Sequence, residues 1–180
     1  MPERPQTDLV EAAANGDQSS FTLLCRRYYP ALVAIAHSII ADSHLAEDAA
    51  QQALAAAAVR LPQLREKSRF AAWVAAICRN EARDLLARRR PMLRIDSAEA
   101  VEDDDGQRDG DDRVEAVRQA LRALPDETRE VVYLRYYQAM TYEHISAVLG
   151  LSEQAINGRL RRAKKTIAEH LRRQGYGGAP

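Results

Sequence analysis

Residues 141–165 read TYEHISAVLGLSEQAINGRLRRAKK, and the order of small polar, apolar and basic residues in this stretch decides the fold. Thr141 is placed to cap a helix, its hydroxyl accepting a backbone N–H that the first helical turn leaves orphaned, with Ile145, Val148 and Leu149 on the helix's inner side. Gly150 can take the left-handed conformation that ends the helix, and Ser152 can cap the next one two residues later. In that second helix Ile156, Leu160, Ala163, Ile167 and Leu171 recur at intervals of four, three, four and four, so they share a buried face. Gln154, Asn157, Gly158, Arg159, Arg161, Arg162, Lys164 and Lys165 remain outside. Two helices joined by a three-residue glycine-containing turn, the second polar and basic on its outer side, match the helix-turn-helix, whose second helix enters the major groove of DNA.

Reach then divides the outer residues by task. The amides Gln154 and Asn157 at the start of the helix can read base edges, and Arg159, Arg161 and Arg162 can bond guanine or phosphate. Lys164 and Lys165 meet only backbone charge as the helix climbs out of the groove. Gly158 is locally odd, since glycine inside a helix costs about 1 kcal/mol relative to alanine; it either permits close approach to DNA or is a tolerated surface residue. The competing reading of the whole segment is a helical hairpin with a merely solvated basic face, against which cap, turn and stripe agree.

Upstream, Val114, Val117, Leu121 and Leu124 form a helical stripe closed by Pro125, followed by a helix through Val131, Val132, Leu134 and Tyr137. Before these lies Pro91 to Asp112, with Asp103, Asp104 and Asp105 in a row and little apolar content. It cannot bury enough surface to offset the entropy of ordering and reads as an acidic linker. The charges confirm the partition: Met1 to Arg90 carries +2, Pro91 to Asp112 carries −7 and Arg113 to Pro180 carries +5, within a net charge of zero.

The first 90 residues read as a four-helix unit. Thr7 can cap a short helix stopped by Asn15 and Gly16, and Asp17 or Ser19 a second one, whose Phe21, Leu24, Cys25, Tyr28, Leu32, Ile35, Ala36 and Ile39 make an amphipathic stripe past Pro30. Asp42 or Ser43 can cap a third through Glu47, Asp48, Gln51, Gln52 and Leu54 to about Arg60, where Pro62 blocks it. Ser68 can cap a fourth with Phe70, Trp73, Val74, Ile77 and Cys78 on one side, with Arg79, Arg83 and Arg88 to Arg90 loading its far end. Few glycines and prolines and only 6% aromatic residues agree with an all-α chain of 180 residues. The expected domains are 1–90, a linker over 91–112, a second domain over 113–174 and a flexible tail over 175–180.

Two isolated cysteines, Cys25 and Cys78, exclude a disulfide scaffold or CxxC metal site and fit a reducing compartment; they read as packing residues, with a redox switch between them unsupported. His37, His44, His144 and His170 have no partners at ligand spacing, and no nucleophile, phosphate-binding or paired-carboxylate motif occurs, so no metal, cofactor or catalytic residue is expected. With no apolar run near the roughly 18 residues a membrane span needs, the expectation is a soluble, cytoplasmic protein without membrane insertion.

The stretch Thr141 to Lys165 resembles region 4 of bacterial sigma factors. Asn15-Gly-Asp17 with Phe21 and Arg27-Tyr28, then Ala46-Glu-Asp48 with Gln51, then Phe70-Ala-Ala-Trp-Val74 and Ile77-Cys-Arg-Asn80 with Asp84, resemble region 2 of their extracytoplasmic-function group. Leu124-Pro125 followed by Arg129 sits where that family opens its region 4. The sequence departs from the family where Ser146 replaces a usual alanine, Gly158 a common serine and Gln52 a common acid.

The resemblance implies a non-enzymatic promoter-specificity subunit that binds core RNA polymerase, positions it and helps to open DNA. By the same resemblance, Asp48, Gln51, Gln52 and Leu54 dock on the clamp helices of the largest polymerase subunit, with a further contact to the flap. The loop Leu64 to Arg69, with Arg65, Lys67 and Arg69, and the helix with Arg79, Asn80 and Arg83 then serve the minus-ten element, and the helix-turn-helix serves the minus-thirty-five element. Melting agrees in outline, because an extruded base needs a receiving pocket and basic residues that hold the displaced strand. Asn80 either bonds a base or caps backbone groups, and Trp73, on the stripe with Phe70 and Ile77, reads as core before stacking platform. Regulation by an anti-sigma factor is typical of the family. Two other functions compete: a stand-alone helix-turn-helix regulator binding palindromic DNA as a dimer, and a helical adaptor or anti-sigma partner without salt-dependent DNA affinity.

Overall fold

The computed structural model describes residues 5–95 and 112–176; the acidic stretch over 96–111 lies outside the described residues. All regular structure among the described residues is helical: α1 (Gln6–Ala14), α2 (Gln18–Ile40), α3 (Ser43–Arg60), α4 (Phe70–Ile95), α5 (Asp112–Arg122), α6 (Asp126–Val132), α7 (Tyr142–Leu149) and α8 (Glu153–Arg173), with short tighter turns over Leu61–Gln63 and Lys67–Arg69.

Local chemistry explains most boundaries. Asp17 caps α2 by accepting from the Ser19 N–H at 3.0 Å, and the Ser19 and Ser20 hydroxyls also bond its carboxylate. The Ser20 and Ser19 hydroxyls together hold that carboxyl down at about 2. Asp42 caps α3 through the Leu45 N–H at 3.0 Å. Between them Ala41 takes the left-handed conformation at φ 56°, which brings the chain out of α2 and directly into α3. Thr7 lies inside α1, whose N-cap position is held by Pro5 with no side-chain cap, so a backbone of fixed φ stands where a hydroxyl was expected; Ser68 lies in the tight turn Lys67–Arg69 that leads into α4. α2 passes through Pro30 as one helix of 23 residues.

α4 continues beyond Arg90 and through Pro91 to Ile95, into the stretch read as linker. At the other end, Gly175 (φ 86°) and the Tyr176 N–H, bonded to the Leu171 carbonyl at 2.9 Å, close α8, so the first residues of the expected tail belong to the helix stop.

α2, α3 and α4 pack together around Leu24, Leu32, Ile35, Phe70 and Val74, all essentially without solvent contact, with α1 across one end. α3 contributes mostly alanines: Ala46, Ala49, Ala50, Ala53 and Ala57 are fully buried, which lets neighbouring backbones come close. Cys78 is buried in this core, its Sγ 3.3 Å from the Leu32 carbonyl oxygen, and burial pushes its thiol up to about 12; Cys25 is half-buried with its thiol raised for the same reason. Both thiols are thereby held in the unreactive protonated form, as packing residues.

The second module keeps the later half of its predicted stripe, with Leu124 buried and Leu121 packed against the core, and departs from it at the two valines. On α5 the buried residues are Ala116 and Ala120, while Val114 and Val117 are substantially exposed. The two registers share a helical period, and the partner α8 selects the one with small side chains. α6 ends at Val132 and gives way to a π-helical turn, Tyr133–Tyr137, which leaves Tyr137 exposed instead of on an inner face.

Candidate nucleic-acid interface

The helix-turn-helix forms as its sequence dictates. Thr141 accepts from the His144 N–H and Ser152 from the Ala155 N–H, each at 3.2 Å, and Gly150 adopts φ 67°. Ser146, one of the departures from the family pattern, donates its hydroxyl to the Leu151 carbonyl at 2.6 Å and so braces the turn between α7 and α8. Ile145, Val148, Ile156, Leu160 and Ala163 are buried beneath it, and Ile167 packs at the edge.

Gln154, Asn157, Arg161, Arg162, Lys164 and Lys165 stand exposed along α8. Lys164 Nζ lies 5.9 Å from the centre of the Tyr136 ring, and Lys165 Nζ lies 3.9 Å from Glu169, a separation worth little at the surface. Arg159 departs from the expected outward row: it turns back to α6, its Nη2 bonding the Glu127 carboxylate at 2.6 Å and its Nη1 the Glu127 carbonyl oxygen.

Gly158 has an ordinary helical conformation, and a Cβ there would meet only the Arg162 Nη1 at 3.8 Å. Among the described residues nothing requires glycine there. Gly158→Ala is therefore expected to stabilise the second module by about 0.5–1 kcal/mol in thermal unfolding. Weaker DNA binding in that more stable variant would locate the need for glycine at the DNA.

On the first module, the loop before α4 borders an open depression of about 390 Å³ lined by Leu64, Arg65, Glu66, Arg69, Ala72 and Trp73. Lys67 Nζ donates to the Leu64 carbonyl at 2.7 Å, bridging the loop, and Arg69 pairs with Glu66 at 2.6 Å in an exposed contact that adds little. Trp73 is half-buried against Phe70, ring centres 5.9 Å apart, and also lines this depression, so it is not wholly core. Asn80 and Arg83 are exposed farther along α4.

On α3, Asp48, Gln51 and Gln52 are exposed, but Leu54 is only 8% exposed and belongs to the core: four residues after Ala50 and one after Ala53, it falls on the alanine-lined inner face. Val59, at 78% exposure the most exposed large apolar residue described, lies on the outer side instead and was not singled out from the sequence.

Sequence reasoning also missed the seam between the modules. Arg79, expected to face DNA, donates to the Glu130 carboxylate at 2.7 Å across that seam, with the two side chains only 22% and 11% exposed. Burial pushes the Glu130 carboxyl upward and the Arg79 guanidinium opposes the rise. Arg129 spans the seam too, donating from Nε to the Ser38 carbonyl at 2.5 Å while its other nitrogens bond the Arg122 and Leu124 carbonyls and Asp126. His37 stacks against Tyr137, with ring centres 6.1 Å apart. A glutamate among acids and arginines gives no sequence signal of burial, because its partner is 51 residues away.

Comparison with known proteins agrees with both halves. Residues 24–91 match Sigma-70 region 2, and residues 114–167 match Sigma-70, region 4. The chain is 34% identical over 168 residues to the probable RNA polymerase sigma factor RfaY of Xanthomonas campestris pv. campestris, using 88% of this chain but spanning only 42% of that relative. It is 25% identical over 173 residues to the ECF RNA polymerase sigma-E factor of Escherichia coli K12, covering 88% of this chain and 90% of the relative. The solved structure of CnrH in complex with the cytosolic domain of CnrY superimposes with a TM-score of 0.62 at 30% identity, covering 92% of this chain and 96% of that one. These matches displace the readings as a dimeric regulator or an adaptor. Two helical modules in this order, one carrying a capped helix-turn-helix and both matched to their counterparts, mean that the chain belongs to the extracytoplasmic-function group of the sigma-70 family: it is a non-enzymatic sigma factor directing transcription initiation.

Proposed function

We propose that the two modules divide one promoter between them. α8 enters the major groove of the minus-thirty-five element, with Gln154 and Asn157 reading bases and Arg161, Arg162, Lys164 and Lys165 neutralising phosphates. The loop carrying Arg65, Lys67 and Arg69, with the depression bordered by Trp73, receives an extruded minus-ten base, while Arg79, Asn80 and Arg83 follow the displaced strand. Arg159 and Arg79 join these contacts once released from their carboxylates. The outer row of α3, Asp48, Gln51, Gln52 and the exposed Val59, docks on the clamp helices of the largest polymerase subunit, and the second module meets the flap.

The observation that carries this reading is the exposed row of amides and cations on a doubly capped helix-turn-helix. The CnrH complex with the cytosolic domain of CnrY supports a protein partner for the family, and we assign this chain an inhibitory partner of the anti-sigma kind. Among the described residues no helix is long and apolar enough to cross a membrane, which is compatible with work beside polymerase in the cytoplasm.

Run-off transcription tests the assignment. Core polymerase with the full chain is expected to yield transcripts from a promoter library whose starts share a two-part upstream motif, and the chain alone none. No association with core enzyme and no transcript would overturn it.

A further inference from the structure

The π-helical turn Tyr133–Tyr137 carries three tyrosines that face two different neighbours. Tyr133 and Tyr137 pack against His37 of the first module, with ring centres 5.3 and 6.1 Å away. Tyr136 meets α8 instead: it is 57% exposed, and Lys164 Nζ lies 5.9 Å from the centre of its ring. The turn that presents it is closely bonded. The Gln138 N–H donates to the Tyr133 carbonyl at 3.2 Å, the Met140 N–H to the Leu134 carbonyl at 3.1 Å, and Arg135 Nη1 to the Met140 carbonyl at 2.8 Å. Ala139 adopts φ 51°, a left-handed conformation that disfavours residues with a Cβ. A π-helical turn followed by a left-handed alanine is an uncommon backbone, of the kind kept where a side chain must be aimed.

Gln154, Asn157, Arg161 and Lys164 follow one another at intervals of three, four and three, so they share one face of α8. Lys164 lies about 15 Å along the axis from Gln154 at the base-reading start of the helix, which puts it with the phosphates flanking the groove and not with base edges. A lysine there is a point charge on a flexible four-carbon stem, and fixing it against a phosphate costs rotamer freedom. A neighbouring carboxylate, such as the Glu169 that lies 3.9 Å from Lys165, offsets the charge it attracts; an aromatic face attracts the ammonium and leaves its charge whole for the phosphate.

We propose that Tyr136 is a positioning residue for DNA binding: its ring places the Lys164 ammonium in advance for one backbone phosphate of the minus-thirty-five element, which lowers the ordering cost of that contact. This rests on the assignment of α8 to DNA. The contact carries no base information, so it raises affinity evenly across sequences.

The test uses holoenzyme reconstituted from core polymerase and the full chain, reading anisotropy of a fluorescein-labelled promoter duplex recovered from the run-off library, across a salt series. Lys164→Ala is expected to weaken binding about fivefold or more and to make the slope of log affinity against log salt shallower by about 1. Tyr136→Ala should weaken binding about threefold, as for loss of an exposed cation–π contact, whereas Tyr136→Phe, which keeps the ring, should stay within about 1.5-fold of the parent. In the Lys164→Ala background, Tyr136→Ala should cost nothing further. Affinity of each chain for core enzyme alone should be unchanged.

No loss in Tyr136→Ala, a loss repeated in full after Lys164→Ala, or an equal loss in Tyr136→Phe overturns the positioning role. A fall in affinity for core enzyme in place of DNA also overturns it, and assigns Tyr136 to a polymerase-facing surface. Lys164→Ala with unchanged affinity and salt slope is a separate failure, of the assignment of Lys164 to DNA, and Tyr136 then has nothing to position.

Discussion

Reversing Arg161 and Arg162 together to glutamate is expected to lower affinity for promoter DNA by at least about 100-fold while leaving the fold intact. Each side chain stands exposed on α8, above the buried Leu160 and Ala163, so it contributes reach and charge and little packing. Losing one arginine contact to a base edge or phosphate costs about 1–3 kcal/mol, and two such losses compound before the repulsion of two new carboxylates is added. The salt dependence should change as well: with two fewer phosphates neutralised, the slope of log affinity against log salt becomes shallower by about 2. Footprinting and run-off transcription with core enzyme across a salt series would show both effects. A melting temperature within a few degrees of the parent would confirm that the loss lies at the interface, since exposed substitutions of this kind stay within about 0.5 kcal/mol.

The largest expected effect on stability comes from Phe70→Ala. Phe70 is the first residue of α4, fully buried, with the Tyr28 ring edge-on at 5.4 Å and the Trp73 ring at 5.9 Å. Truncation removes the largest fully buried side chain described and leaves a cavity where α2, α4 and the loop before α4 meet, at a cost of about 3–5 kcal/mol. Against a total of about 5–15 kcal/mol for an ordinary domain, the first module should be near its unfolding threshold at physiological temperature. Denaturant unfolding followed by tryptophan fluorescence would report this directly, because Trp73 is the chain's one tryptophan and sits beside the lesion. Transcription should fall with it, since the depression bordered by Trp73 loses its support.

The helix-turn-helix was legible because each of its signals is local: a hydroxyl three residues before the N–H it caps, a glycine at a left-handed turn, an apolar residue every three or four positions. The caps of α2 and α3 were legible for the same reason to within one alternative each, and Asp17 rather than Ser19 and Asp42 rather than Ser43 take the position. What escaped depends on partners distant in sequence. On α5, valine and alanine stripes share one period, and only the approach of α8 decides that Ala116 and Ala120 go inside. Leu54 sits beside polar residues in the sequence yet faces a core made mostly of methyl groups. Arg79 and Arg159 read as DNA ligands because guanidinium groups suit phosphate, and for the same reason they suit Glu130 and Glu127.

The alanine row of α3 divides tolerance to change unevenly around one helix. On its inner side Ala49, Ala50 and Ala53 are fully buried, and an added methylene in a packed core costs about 1–3 kcal/mol, so drift there is opposed. Around the opposite half, Asp48, Gln51, Gln52 and Val59 are free of that cost, and the bundle would not register their replacement. A lineage could thus rewrite this outward half, one position at a time, to match a diverging enzyme without renegotiating the architecture that holds it.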